Sequence, residues 1–190
     1  MAFSARVNAS TDDIWAERTP ATSSGVTLAT NYIGSTGGVD TEHAGLRWQN
    51  VTIPKGATIQ SAVLRFYADA NTSGTAVNVT IKSEAADNAA AFSTTSNWNA
   101  RTRGSQSIAW NSIGAWSINI EYDSPDISAA IQEVTDRAGW ASGNSLVIFV
   151  EDNSSTSGAN RQFESYDGNS TRGVLLTITY TIKLTATAGS

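Results

Sequence analysis

The six tryptophans are the side chains whose type and spacing most favour ligand binding. They are Trp15, Trp48, Trp98, Trp110, Trp116 and Trp140. An exposed indole face stacks on a sugar ring, whereas a buried indole fills the core or braces a loop. Trp98 stands in a polar stretch, and Trp110 and Trp116 bracket an expected turn at 111–115. We therefore expect Trp98 to be the most exposed of the six, and we take Trp98, Trp110 and Trp116 as a candidate sugar platform.

Arginine is unusual inside a strand pattern unless its stem packs and its guanidinium finds a partner. Arg161 stands in such a pattern, as do Arg47 and Arg65. Two interpretations of Arg161 stay open. It forms an ion pair with Glu164 or with an acid on a neighbouring strand, or it binds a ligand carboxylate or sugar. With the second interpretation, Arg161 joins the three tryptophans in the candidate glycan site.

Several acidic turns could supply oxygen ligands to calcium, which prefers carboxylates, amide oxygens and backbone carbonyls. Asp167 and Asn169 flank Gly168 in the strongest of these turns. Turn-forming Asp and Asn residues explain the same pattern without a metal. We therefore expect no cofactor, and a structural calcium at Asp167 and Asn169 stays open as an alternative.

The scarcity of nucleophiles and bases argues against catalysis. The chain has no cysteine, which excludes disulfides, zinc–thiolate sites and cysteine catalysis, and its one histidine is His43. No Gly-x-Ser-x-Gly elbow accompanies that histidine, so we expect His43 to lie at the surface or at a strand edge. Two carboxylates that are distant in sequence and close in the fold could also cleave a glycosidic bond without showing a motif. No sequence pattern supports such a pair here. The sequence predicts a protein that is not an enzyme.

The length and net charge of the chain limit the kinds of partner that it can have. The chain has 190 residues and a formal charge of −5 at pH 7, which disfavours a nucleic-acid partner. No apolar run approaches the ~18 residues that span a bilayer, so we expect no membrane insertion. We expect one domain over residues 1–184 and a short polar tail over 185–190.

The candidate site residues lie on or between short segments in which apolar and polar residues alternate, and turn residues separate these segments. We expect strands at 3–7, 13–17, 26–30, 45–49, 51–53, 59–67, 77–81, 145–150, 161–166 and 174–182. About ten strands with this spacing predict an all-β sandwich. A loop rich in glycine is expected between the third and fourth of them.

One segment has helical periodicity instead. Its apolar residues are Ile127, Ala130, Ile131 and Val134, at the i, i+3, i+4, i+7 spacing of an amphipathic helix. Ser124 and Pro125 match the N-cap and first helical positions, and Gly139 matches the residue after the helix. The sequence predicts one helix over about 125–137 that covers an open end or edge of the sandwich.

Four motifs in order resemble a known family. They are LRWQNVTIPKGATIQSA at 46–62, SPDIS at 124–128, GWASGN at 139–144 and SYDG at 165–168. This pattern covers roughly residues 10–182 and resembles the DNRLRE-type jelly-roll modules, some of which are classed as carbohydrate-binding modules. It is more similar still to stand-alone structural proteins of tailed bacteriophages.

The resemblance implies a jelly-roll β sandwich without catalytic apparatus. It favours a capsid decoration protein, or a head or tail adhesion protein, that binds phage capsid or tail proteins as a homo-oligomer, with a trimer as one option. Residues 1–7 do not resemble a signal peptide, so if Met1 is the natural start we expect synthesis in the host cytoplasm and a place on the virion surface. The alternative is a free-standing carbohydrate-binding module, and the two functions merge if the virion protein contacts a host glycan.

Overall fold

A computed structural model describes residues 1–182, in which twelve strands form two antiparallel sheets. The strands are β1 Ala2–Arg6, β2 Asp13–Glu17, β3 Ser23–Gly25, β4 Thr30–Gly37, β5 Asp40–Trp48, β6 Thr58–Tyr67, β7 Val77–Ser83, β8 Ile108–Ile113, β9 Glu121–Asp123, β10 Leu146–Asp152, β11 Asn160–Glu164 and β12 Leu175–Thr181. The predicted all-β sandwich is confirmed. The expected tail at 185–190 lies outside the described residues, so the domain bounds stay a prediction.

The two sheets differ in size. Sheet A has the strand order β1-β12-β6-β9, and sheet B has the order β11-β4-β5-β10-β7-β8, with β2 beside β5 and β3 beside β2. Inward residues of both sheets form the main core, to which sheet A contributes Leu64, Leu176 and Ile178 and sheet B contributes Val79 and Ile148. Along β7 and β12 the inward apolar residues alternate with outward, mostly polar ones, which is the period of two that the sequence displays.

A second, smaller core lies on the opposite face of sheet B. Along β10, Leu146, Ile148 and Val150 join the main core, whereas Val147 and Phe149 join the second cluster. The segment 84–104 covers this face and contains a short helix, α1, Thr95–Ala100. The continuous apolar run of β10 therefore reflects a strand buried on both faces.

The predicted amphipathic helix is present but shorter than expected. Helix α2 spans Ser128–Thr135, and the apolar stripe Ile127, Ala130, Ile131 and Val134 is fully buried, as predicted. The predicted start was wrong, because the backbone of 124–127 continues alongside β6 rather than turning into the helix. The Ser124 hydroxyl accepts from Leu64 N–H, and Asp126 Oδ1 accepts from both Ala62 N–H and Ser128 N–H.

Several strand predictions also need correction. The segments 26–30 and 51–53 are mostly irregular, and the expected glycine-rich loop contains most of β4. Gly37 and Gly38 have φ values of +130° and +62°, which lets the chain reverse sharply from β4 into β5. The glycines therefore mark a tight hairpin rather than a long loop.

No helix within residues 1–182 combines the length and the apolar character needed to cross a membrane.

Candidate functional site

Two of the predicted tryptophans come together beside a tyrosine at one side of the sandwich. Trp116 stacks on Tyr122 with ring centroids 4.8 Å apart and planes 6° from parallel, and Trp110 lies 6.1 Å from Trp116. Phe66 supports both indoles from the core. The rings line a depression of about 300 Å³ together with Asn111 and other residues. We call this depression the aromatic site.

Edge strands from both sheets position the aromatic site. Trp110 lies on β8, where it pairs with Val79 of sheet B, and Tyr122 lies on β9, where it pairs with Phe66 of sheet A. Trp116 belongs to the connection between these strands and is 2% exposed, so it borders the depression but, contrary to expectation, offers almost no surface to a sugar ring. Trp110 and Tyr122 are half-buried, and Asn111 is exposed. The site therefore offers one accessible indole and one amide that can bond a hydroxyl.

Trp98 does not belong to this site, and its predicted exposure is wrong. It is 1% exposed and lies in the second core, edge-on to Phe149 with centroids 5.0 Å apart. The Arg103 guanidinium lies 4.6 Å from its ring centroid and donates to the Trp98 carbonyl. The polar sequence around Trp98 forms the exposed side of α1, which hides the tryptophan beneath it.

Arg161 is also internal, so its predicted contact with a ligand is wrong. Its side chain is fully buried and donates to four carbonyl oxygens, those of Thr75, Ile113, Gly114 and Asn160. Neither the proposed ion pair with Glu164 nor one with a neighbouring acid forms. Arg161 instead fixes the end of β8 and the loop after it, which carry the base of the aromatic site.

A second aromatic depression was not predicted from the sequence. Trp15 and Tyr32, with Leu28, line a depression of about 460 Å³ whose walls are mainly apolar. Trp15 is half-buried, and its Nε1 donates to the buried Glu42 carboxylate. No local pattern indicates that Trp15 and Tyr32 lie together, because tertiary packing brings β2 and β4 next to each other.

A third cleft contains the one histidine, and both ring nitrogens of that histidine have hydrogen-bond partners. Asp152 N–H donates to His43 Nδ1 at 2.9 Å, and the hydroxyls of Thr19 and Thr41 lie 2.8 and 3.0 Å from Nε2. Since a backbone N–H can only donate, Nδ1 accepts and the neutral ring carries its proton on Nε2. Burial, with a smaller effect of Arg103, lowers the His43 pKa to about 4. His43 is thus buried rather than on the surface, and the cleft of about 500 Å³ has a neutral ring at its base.

Asp167 and Asn169 lie close together, as expected from their sequence, but their oxygens are partly occupied. Ser10 Oγ donates to Asp167 Oδ1, and both the N–H and the hydroxyl of Thr171 donate to Asn169 Oδ1. Calcium takes six to eight oxygens, so this pair fits a calcium shell poorly. Within residues 1–182 no group of three or more His, Asp or Glu side chains could hold a metal ion. Calcium binding here stays a prediction.

The Asp13 carboxyl group is buried and forms no ion pair within residues 1–182. Asp13 is 2% exposed and accepts from Tyr166 N–H, and burial raises its pKa to about 7. The adjacent Asp12 is different, because Arg47 and Gln49 donate to its two oxygens. Asp13 therefore holds a proton far more readily than an ordinary carboxyl group does.

The outward face of sheet A is rich in hydroxyl groups. Ser4 on β1 lies opposite Thr177 on β12, with their oxygens 3.3 Å apart, and Ser61 on β6 lies opposite Thr179, at 2.7 Å. Ser4 and both threonines are exposed, and Ser61 is half-buried. We call these four residues the hydroxyl face. It is the neutral polar surface that the composition of the chain implies.

A scan against protein-family models and a search of curated proteins found no match to this chain. Its function is therefore argued from the residues and their geometry.

Proposed function

We propose that the chain is a non-catalytic structural protein of a bacteriophage virion, either a capsid decoration protein or a head or tail adhesion protein. It is made in the host cytoplasm, lies on the virion surface and binds capsid or tail proteins. The four motifs in order support the class of protein. The hydroxyl face is the observation that carries the binding role.

The hydroxyl face suits docking on another protein surface. Its four side chains are short and uncharged, so they cost little conformational entropy or desolvation when covered. Beside them, Arg65 donates to Asp123 through two nitrogens at 2.6 and 2.8 Å. A neutral area with a self-neutralised charged margin can approach a capsid shell without electrostatic repulsion.

The state of His43 supports a non-catalytic role. A general base needs a pKa near the working pH and an accessible lone pair. The His43 pKa is about 4, and Asp152 N–H occupies the Nδ1 lone pair. This histidine holds the β10 terminus in place rather than exchanging protons with a substrate.

Rebinding to particles tests this function. Purified chain is mixed with virions from which it has been stripped, and bound chain is quantified after sedimentation. We expect Thr177→Lys to reduce binding at least tenfold, because a lysine in the hydroxyl face prevents close contact. The control Thr156→Lys places the same charge at an exposed position in the connection between β10 and β11, outside the hydroxyl face. This variant should bind as the unmodified protein does. Failure of the unmodified chain to sediment with the particles would contradict the virion role, and equal binding by both variants would exclude the hydroxyl face as the docking surface.

The aromatic site supports carbohydrate binding as a second candidate. Trp110 offers an indole to a sugar ring, and Asn111 can bond a hydroxyl beside it. On a glycan array, Trp110→Ala should abolish binding that Trp15→Ala, which removes the other half-buried indole, leaves unchanged. Absence of any bound glycan, or equal binding by the two variants, would contradict this role.

A further inference from the structure

Strand β1 forms an edge of sheet A whose backbone groups alternate between paired and outward directions. Met1 and Tyr180 exchange both backbone hydrogen bonds, and Val7 N–H donates to Val174 O. In an antiparallel pair, hydrogen-bonded residues recur at every second position, so Phe3 and Ala5 also bond to β12. The N–H and C=O groups of Ala2, Ser4 and Arg6 therefore point away from the sheet.

The opposite edge of sheet A is β9, which has only three residues. After β9, Ser124 N–H donates to Leu64 O and Ile127 N–H donates to Ala62 O, which continues the pairing along β6. Helix α2 follows directly and packs against β6. No such segment within residues 1–182 pairs with the outer side of β1.

The edges of sheet B are interrupted as well. On β8, Ser112 has a φ of +56°, and its N–H donates to the Asn78 side chain. Strand β11 is bridged to sheet A through Phe163 and Ala68. At β3, the Ser24 hydroxyl bonds to that of Thr95 on α1.

Strand β1 lacks most of the features that usually protect an edge. It contains no proline and no bulge, and such edges readily pair with another strand. Its one charged side chain, Arg6, is directed along sheet A, where it donates to Gly173 O and pairs with Glu121. On the core side, Phe3 and Ala5 pack against the main core but stay half-exposed.

We propose that a second copy of the chain covers this edge, with β1 pairing antiparallel to β1 across a twofold axis. Ser4 then lies opposite Ser4 of the other copy, and Ala2 lies opposite Arg6. Each outward N–H meets an outward C=O, because an antiparallel edge is complementary to itself under a twofold rotation. The two four-stranded sheets become one continuous sheet.

The same register places apolar atoms together and joins the two polar surfaces. Phe3 of one copy lies opposite Ala5 of the other, so the half-exposed side chains cover each other. On the outward side, Ser4 lies next to its own symmetry copy, and the two hydroxyl faces become one surface. A strand from an unrelated protein would pair with the backbone but would lack this match of side chains.

Ultracentrifugation of a proline variant tests the pairing. In Ser4→Pro the lost N–H is an outward one, so pairing with β12 is retained, and proline is tolerated on an edge strand. We expect dimers of the unmodified chain and of Ser4→Ala at concentrations where Ser4→Pro is monomeric, a weakening of at least tenfold. A monomeric unmodified chain at ~100 µM, near the weak end of specific association, would overturn the proposal. So would dimers of Ser4→Pro as stable as those of Ser4→Ala.

A cysteine variant keeps the proposal testable if the proline variant does not fold. The chain has no cysteine, so Ser4→Cys provides a single thiol. Residues opposite each other in a hydrogen-bonded pair have Cα atoms about 5.5 Å apart, within the reach of a disulfide. Under mild oxidation we expect Ser4→Cys to form covalent dimers, whereas Thr177→Cys, one strand further from the axis, does not. Equal rates of cross-linking in both variants would contradict the twofold pairing.

Discussion

At the residue scale, Arg161 illustrates how an apparent ligand-binding side chain becomes part of the interior. Its guanidinium is fully buried and bonds to carbonyl oxygens from three separate parts of the chain, near residues 75, 114 and 160. Burial also lowers its pKa from the ordinary value for arginine. The residue connects the β8 terminus to β11, and the charge is offset by backbone dipoles rather than by a carboxylate.

Replacing Arg161 should therefore destabilise the fold strongly. In Arg161→Lys a single ammonium cannot reach all the carbonyl oxygens, and buried groups without partners cost about 1–3 kcal/mol each. We expect the free energy of unfolding, measured by urea titration, to fall by about 3 kcal/mol. Arg65→Lys alters an exposed ion pair and should change it by less than about 1 kcal/mol. Equal losses in the two variants would contradict a structural role for Arg161.

Asp13 and His43 give the folded chain opposite responses to pH. The Asp13 pKa rises from 3.8 to about 7 on folding, so its contribution to stability is full below pH 3.8 and is lost as the pH rises toward 7. The His43 pKa falls from 6.5 to about 4, so its contribution is full above pH 6.5 and is lost as the pH falls toward 4. The two contributions oppose each other between pH 4 and 6.5.

Removing one of the two groups should expose the response of the other. In Asp13→Asn, the free energy of unfolding should rise between pH 4 and 6.5, with a slope of up to about 1.4 kcal/mol per pH unit. In His43→Gln, the free energy of unfolding should fall over the same range. Urea titrations at several pH values measure both slopes. Equal slopes in the two variants would show that these groups do not titrate as their burial requires.

At the element scale, the segment 84–104 acts as an added layer on sheet B. Two arginines form ion pairs and stack on aromatic rings, Arg101 within the segment itself and Arg103 between the segment and β10. Arg101 pairs with Glu84 and lies 4.2 Å from the Phe92 ring centroid, whereas Arg103 pairs with Glu151 and lies 3.9 Å from the Phe149 ring centroid. Helix α1 is too short to be stable alone, so its position depends on these contacts.

Truncation of Trp98 tests how much this layer contributes. Trp98→Ala removes the largest side chain of the second core and should lower the free energy of unfolding by about 3–5 kcal/mol. Ser96→Ala, at an exposed position of the same helix, should change it by less than about 0.5 kcal/mol. Glycan binding at the aromatic site should persist in any Trp98 variant that folds, because Trp98 lies in a different core.

At the scale of the whole molecule, the strands with a clear local sequence pattern were the ones whose bounds were predicted well. The strand expected at 13–17 has those bounds, and β6, β7, β10, β11 and β12 lie within two residues of expectation. Each has a clear period of two or a continuous apolar run. Strand β4 was missed because its two glycines, Gly34 and Gly37, and the adjacent Gly38 indicate a loop, although hairpin geometry and close backbone packing require them. At Gly34, for example, an added Cβ would lie 2.5 Å from Ala159 O.

The candidate site was harder to predict, because burial depends on contacts distant in sequence. The polar neighbours of Trp98 suggested exposure, yet they form one side of α1 while the indole packs on Phe149 from β10. Tyr122 was not expected in the aromatic site, since only the pairing of β9 with β6 brings it to Trp116. Spacing along the sequence identified Trp110 and Trp116 as neighbours, but not which of them is accessible.

The proposed virion role is tested most directly by quantifying the chain in purified particles. Virions from the source host are purified by density gradient, and the chain and the major capsid protein are measured by mass spectrometry with isotope-labelled standards. We predict that the chain stays with the particles, with a copy number on the order of that of the capsid protein if it is a decoration protein and a much lower fixed number if it belongs to the tail. Absence of the chain from purified particles that retain their other structural proteins would contradict the proposed function.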